Sequence, residues 1–90
     1  MSESESLLRF PCRFPIKAMG AAAADADFAA LVIGIVSRHA PGLDKDAVSV
    51  RRSGGGKWLS VTVVVEARSR DQLDAIYRDL SGHERVVMAL

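Results

Sequence analysis

From Lys57 to Ala67 the chain alternates at period two, with Leu59, Val61, Val63, Val65 and Ala67 on one side of a pleat and Trp58, Ser60, Thr62, Val64 and Glu66 on the other. This is a long strand with one side built for a core and a second side that mixes polar groups with Trp58 and Val64. The same period runs through Phe14, Ile16, Ala18 and Gly20, which alternate with Pro15, Lys17 and Met19 and predict a first strand. Pro15 lacks a backbone donor, which a strand tolerates near its start and resists in its middle. The period then changes to helical: Phe28, Leu31, Val32, Ile35 and His39 fall on one stripe, with Asp25 as the expected N-cap and Pro41-Gly42 as the stop. His39 reads as a last-turn residue that favours the negative end of the helix macrodipole.

Asp44 to Arg52 predicts a second strand at a sheet edge, and Ser53-Gly54-Gly55-Gly56 a hairpin turn that uses the positive φ values glycine permits. Beyond Ala67, the capping box Ser69-Arg70-Asp71-Gln72 opens a second helix, carried by Leu73, Ile76, Tyr77 and Leu80 and ending near Gly82. Asp71, Asp74 and Asp79 read as its solvated face. Glu84 to Leu90 predicts a final strand with Val86, Met88 and Leu90 inward.

The order β-α-β-β-α-β specifies an α+β, ferredoxin-like sandwich: a four-stranded antiparallel sheet with two helices on one face, because right-handed crossovers send both helices to the same side. The other face is left open, and on it fall Lys17, Met19, Trp58, Ser60, Thr62, Val64 and Val87. The acidic Ser-Glu alternation of residues 1–8 offers nothing to pack and predicts a flexible tail, leaving one domain over 9–90.

Composition narrows the function classes. Ninety residues with 49% hydrophobic and 26% charged content make an ordinary globular chain, and twelve basic against eleven acidic residues give no bulk attraction to nucleic acid or anionic membrane. Cys12 is the single cysteine, which precludes an internal disulfide and a multi-cysteine metal site and suits a cytoplasmic location. The segment after the first strand, Gly20-Ala-Ala-Ala-Ala24, has no Cys-x-x-Cys pair for a soft metal and no arginine for an acylphosphatase-like site. The central strand has one aromatic, Trp58, where RNA-recognition sheets stack several. The triple glycine joins two strands, so it is no phosphate loop. No nucleophile–base set stands out, and Cys12 has only Arg13 beside it to activate a thiol. These features exclude metal and cofactor chemistry from the reading and point away from an enzyme. A basic cluster at Arg51, Arg52 and Lys57 flanks the glycine turn. It reads first as charge that keeps an edge strand from pairing, and second as a weak nucleic-acid contact.

Together, Leu8-Arg9-Phe10-Pro11, Phe14-Pro15-Ile16-Lys17-Ala18-Met19-Gly20, Arg38-His39-Ala40-Pro41-Gly42, Ser60-Val61-Thr62-Val63 and Val86-Val87-Met88-Ala89-Leu90 resemble the YbeD-like (UPF0250-type) family of small bacterial proteins across nearly the whole chain. The resemblance implies an ACT-like fold, a regulatory role associated with lipoate metabolism, and, by the ACT analogy, a small-ligand site near Gly20 and Asp25. The expectation is a non-enzymatic regulatory or protein-interaction module, working as a homodimer or with a protein partner through the open face. An ACT-type small-molecule sensor is the alternative, and nucleic-acid binding through Arg51, Arg52 and Lys57 a weaker one.

Overall fold

A computed structural model describes residues 9–22 and 25–90. Its elements follow the order expected: β1 (Cys12–Ala21), α1 (Asp25–His39), a 3-10 turn (Lys45–Ala47), β2 (Val48–Ser53), β3 (Trp58–Ala67), α2 (Arg70–Ser81) and β4 (Met88–Ala89). The strands form one antiparallel sheet in the order β2-β3-β1-β4, the ferredoxin-like arrangement. The N-terminal tail expected over residues 1–8 lies outside the described residues.

The register fixes both faces. Ile16 opposes Val63, Ala18 opposes Val61 and Gly20 opposes Leu59, so the inner side of β3 meets the inner side of β1 along the full length of both strands. Against this surface α1 sets Phe28, Val32 and Val36, and α2 sets Leu73, Ile76 and Leu80, all buried. Each such side chain contributes about 1.5–3 kcal/mol on leaving water. The inner stripe of β3 needs two helices to cover it, which is why its alternation is so regular.

Pro15 is the fourth residue of β1, not a lead-in. It is tolerated because main-chain groups point alternately to the two edges of a strand. Lys17 N–H donates to Leu90 O at 3.0 Å and Leu90 N–H returns the bond at 2.7 Å, so odd-numbered residues of β1 face the β4 edge. The donor missing at Pro15 was never aimed at β3.

Three expectations are corrected. Residues 44–47 are not strand: Asp44 Oδ1 accepts from Asp46 N–H at 3.2 Å and Asp44 O from Ala47 N–H at 3.0 Å, closing a tight turn before β2 begins. β2 is nonetheless the edge strand predicted. In the last segment, Val86 is inward but Met88 and Leu90 are not, being 48% and 62% exposed. The reason is a bend at Val87. The turn through His83–Val86 buries Val86 outside any ladder, and the strand then starts afresh with Met88 opposite Met19 and Ala89 opposite Ala18. Finally, Asp79 is exposed, its side chain 38% accessible, but it is not merely solvated. Its carboxylate accepts from the His39 imidazole at 2.7 Å and ties α2 to the last turn of α1.

The predicted capping box forms in altered shape. Ser69 Oγ accepts from Gln72 N–H at 3.1 Å, but the Gln72 side chain reaches past the cap. Its Oε1 accepts from Arg68 N–H at 2.6 Å and its Nε2 donates to His39 O at 2.8 Å. One amide thus joins the exit of β3, the start of α2 and an orphan carbonyl at the end of α1.

Candidate functional site: the open sheet face

The face away from the helices is set by residues directly opposed across three strands. Lys17 opposes Thr62, which opposes Ser49; Met19 opposes Ser60, which opposes Arg51; Trp58 opposes Ala21 and Ser53. Pairs directly opposite share a face, so six of the seven expected surface residues, Lys17, Met19, Trp58, Ser60, Thr62 and Val64, lie on one side of the sheet. Val87 is exposed but sits at the bend, and the positions it was expected to hold belong to Met88 beside Met19 and to Leu90 beside Lys17. Trp58 is 39% exposed, its ring lying over Gly54.

The basic hairpin does not converge on this face. Arg51 is on it, whereas Arg52 opposes Leu59 and so belongs to the helix side, and Lys57 lies in the turn with its carbonyl accepting from Ala22 N–H at 2.9 Å. Gly20 is buried. A Cβ there would meet Phe28 Cε1 at 2.5 Å and Arg85 O at 2.9 Å, so packing alone accounts for glycine at this position. Residues 23–24 and the side chain of Asp25, at the start of α1, lie outside the described residues.

Two concave regions stand out among the described residues. A groove of about 380 Å³ lies where the 40–47 connection passes the ends of β1 and β3, with Arg13, Glu66, Arg68, Asp44 and Asp46 on its walls. A shallower one of about 240 Å³ lies at the C-terminal ends of the helices between Arg38, Arg78 and His83. There the hydrogen bond from His39, aided by the nearby positive charge of Arg38 and Arg78, holds the Asp79 carboxyl below its ordinary range. Burial raises the Tyr77 phenol above its own. Among the described residues no three His, Cys, Asp or Glu side chains gather as metal ligands, and no helix is long and apolar enough to cross a membrane.

Sequence reasoning missed Ser49, Arg51 and Met88 as members of the open face. Ser49 and Arg51 could have been placed there by continuing the alternation of Ser60 and Thr62 across the hairpin. Met88 depended on a bend with no periodic signal.

Comparison with known proteins agrees with the resemblance read from the motifs. A family model described as a protein of unknown function, DUF493, matches residues 5–90. A UPF0250 protein of Chromobacterium violaceum is 44% identical over 88 residues, covering 98% of this chain and 97% of its own. One from Paraburkholderia phymatum is 42% identical over 87 residues, covering 97% and 96%. Another, from Pseudomonas paraeruginosa, is 46% identical over 84 residues, covering 92% and 88%. With a match along almost its whole length and relatives that align end to end, the chain belongs to the DUF493 family.

Proposed function

We propose that this protein is a non-catalytic interaction module whose working surface is the open sheet face, occupied by a second protein chain. The observation that carries the reading is the apolar end of that face, where Met19 opposes Met88 and has Trp58 and Leu90 as diagonal neighbours, with no second layer over the sheet among the described residues. Side chains of this kind in one patch mark a contact surface more often than a solvated one. The sheet's edges are poor docking sites by comparison. Pro15 interrupts the donors of β1 beyond β4, and the outer strand β2 carries Arg51 and Arg52.

The test is a photo-crosslinking residue placed at Val64 on the open face or at Asp74, exposed on α2, in living cells. A discrete adduct from position 64, absent from position 74 and lost with Met19→Glu, is the expected result. The adduct's mass separates a second copy from a different protein. Adducts from position 74 alone, or none from position 64, would overturn the reading.

A further inference from the structure

At the centre of the open face, five polar side chains from three adjacent strands form one patch: Lys17 on β1, Ser60 and Thr62 on β3, Ser49 and Arg51 on β2. Among the described residues none of the five side chains makes a hydrogen bond or an ion pair. Both charges are positive, and the two rows hold no acidic side chain. The face's carboxylate, Glu66, sits opposite Arg13 two pairs further along β3 than Thr62. Edge protection explains a charge on β2, but it does not explain Lys17, which stands on an inner strand between β3 and β4.

We infer that this patch is an oxyanion site that recognises a phosphomonoester. Lys17 and Arg51 stand on strands either side of β3 and one pair out of step, roughly 12 Å apart by strand spacing and rise. Their long side chains can close from opposite sides over Ser60 and Thr62, whose hydroxyls rise from the rigid sheet between them. Two cations match a group that carries about −1.5 to −2 charge near neutral pH and offers three acceptor oxygens. A carboxylate or a phosphodiester brings one negative charge and leaves one cation uncompensated. Arginine adds a planar fork of donors and lysine a mobile point charge, a pairing suited to a tetrahedral anion. Trp58 lies two residues from Ser60 on the same face, within reach of whatever bears the phosphate. The inference deepens the reading of the open face as the working surface and rests on it: the occupant is held there by a phosphate.

The full chain is titrated with phenyl phosphate and with a phosphoserine tripeptide. Benzoate and sodium chloride at matched ionic strength serve as controls, and backbone amide NMR shifts and Trp58 fluorescence as readouts. The expected result is saturable binding of both phosphates, with shifts centred on residues 17, 49, 51, 60 and 62. Lys17→Ala and Arg51→Ala each weaken it about fivefold or more, while Arg70→Ala on α2 leaves it unchanged. Binding should also fade below about pH 6 as the dianion takes up a proton. Binding of the tripeptide at least as tight as that of phenyl phosphate supports a phosphorylated segment of the partner chain as the occupant, whereas binding of phenyl phosphate without the tripeptide would overturn it. Benzoate binding as well as phenyl phosphate, or shifts that chloride reproduces, would overturn it. Since position 64 can crosslink a partner whether or not phosphate binds, failure here is distinct from failure of the open face as a contact surface.

Discussion

The turn between β2 and β3 depends on three consecutive glycines with φ of +62°, +68° and +89° at positions 54, 55 and 56. A side chain in the left-handed region costs about 1–2 kcal/mol, so each position resists substitution. Gly54 carries a second constraint, because a Cβ there would lie 2.7 Å from Trp58 Cδ1, whereas one at Gly55 meets open space. Gly54→Ala is therefore expected to lower stability more than Gly55→Ala, by about 2–3 against about 1–2 kcal/mol. It alone should shift Trp58 emission. Urea denaturation followed by tryptophan fluorescence reads both quantities, and equal losses with unchanged emission would refute the contact. Gly20 poses a different problem: its conformation is ordinary, but the Arg85 carbonyl stands 2.9 Å from where a Cβ would be, and backbone yields less readily than a side chain. Gly20→Ala should cost about 1–3 kcal/mol, and less when made in a Phe28→Leu background, where the ring contact is relieved. An equal cost in both backgrounds would show the carbonyl to be the whole obstacle.

At the scale of elements, α1 and α2 are held together by more than their apolar stripes. The end of α1 is gripped twice, by Gln72 at its His39 carbonyl and by Asp79 at the His39 ring. The Asp79 carboxyl has a lowered pKa in the fold, chiefly through that hydrogen bond. A lowered folded value means that the ionised carboxylate contributes stability above the ordinary carboxyl range, and that this contribution is lost as pH falls from there through the folded value. In a series of melts from pH 5 down to about pH 2.5, the melting temperature of the unaltered protein should therefore fall more steeply than that of Asp79→Asn. Parallel curves would mean that the contact contributes nothing to folding. This bridge was not legible in the sequence. His39 could be placed in a last turn and Asp79 on a helix, but the position of Asp79 around α2 relative to α1 depends on how the helices cross. The strands and helices themselves were legible because long periodic runs leave little choice: β3 has five inner positions filled by Leu, Val or Ala, and α2 has Leu73, Ile76 and Leu80 at helical spacing. β4 was misread by one residue because only Met88 and Ala89 pair, and a run that short cannot fix its own register.

For the whole molecule, the question is which boundary of the sheet meets other chains. The faces were legible in part: the alternation of β3 placed Trp58, Ser60, Thr62 and Val64 together, and β1 added Lys17 and Met19. The neighbouring contributions of Ser49, Arg51 and Met88 required the register. The edges were less legible, since the direction of a main-chain donor depends on which strand lies on which side. β4 pairs with β1 over Ala18 and Met19, and Leu90 bonds to Lys17, so toward Cys12 the odd-numbered residues of β1 face an edge with no strand beside them among the described residues. Pro15 stands there with no N–H to offer, and an added strand would lose a hydrogen bond at that point. Replacing Pro15 with valine restores the donor and adds a residue with high strand preference. The folded monomer should tolerate the change, because its β1–β3 ladder does not use that donor. Association should rise instead. In light scattering during slow heating, Pro15→Val is expected to form larger particles at a lower temperature than the unaltered protein, while its melting temperature measured in dilute solution stays close to the original. If scattering onset does not move, proline is not what guards this edge; if the dilute melting temperature falls sharply, Pro15 instead supports β1 itself.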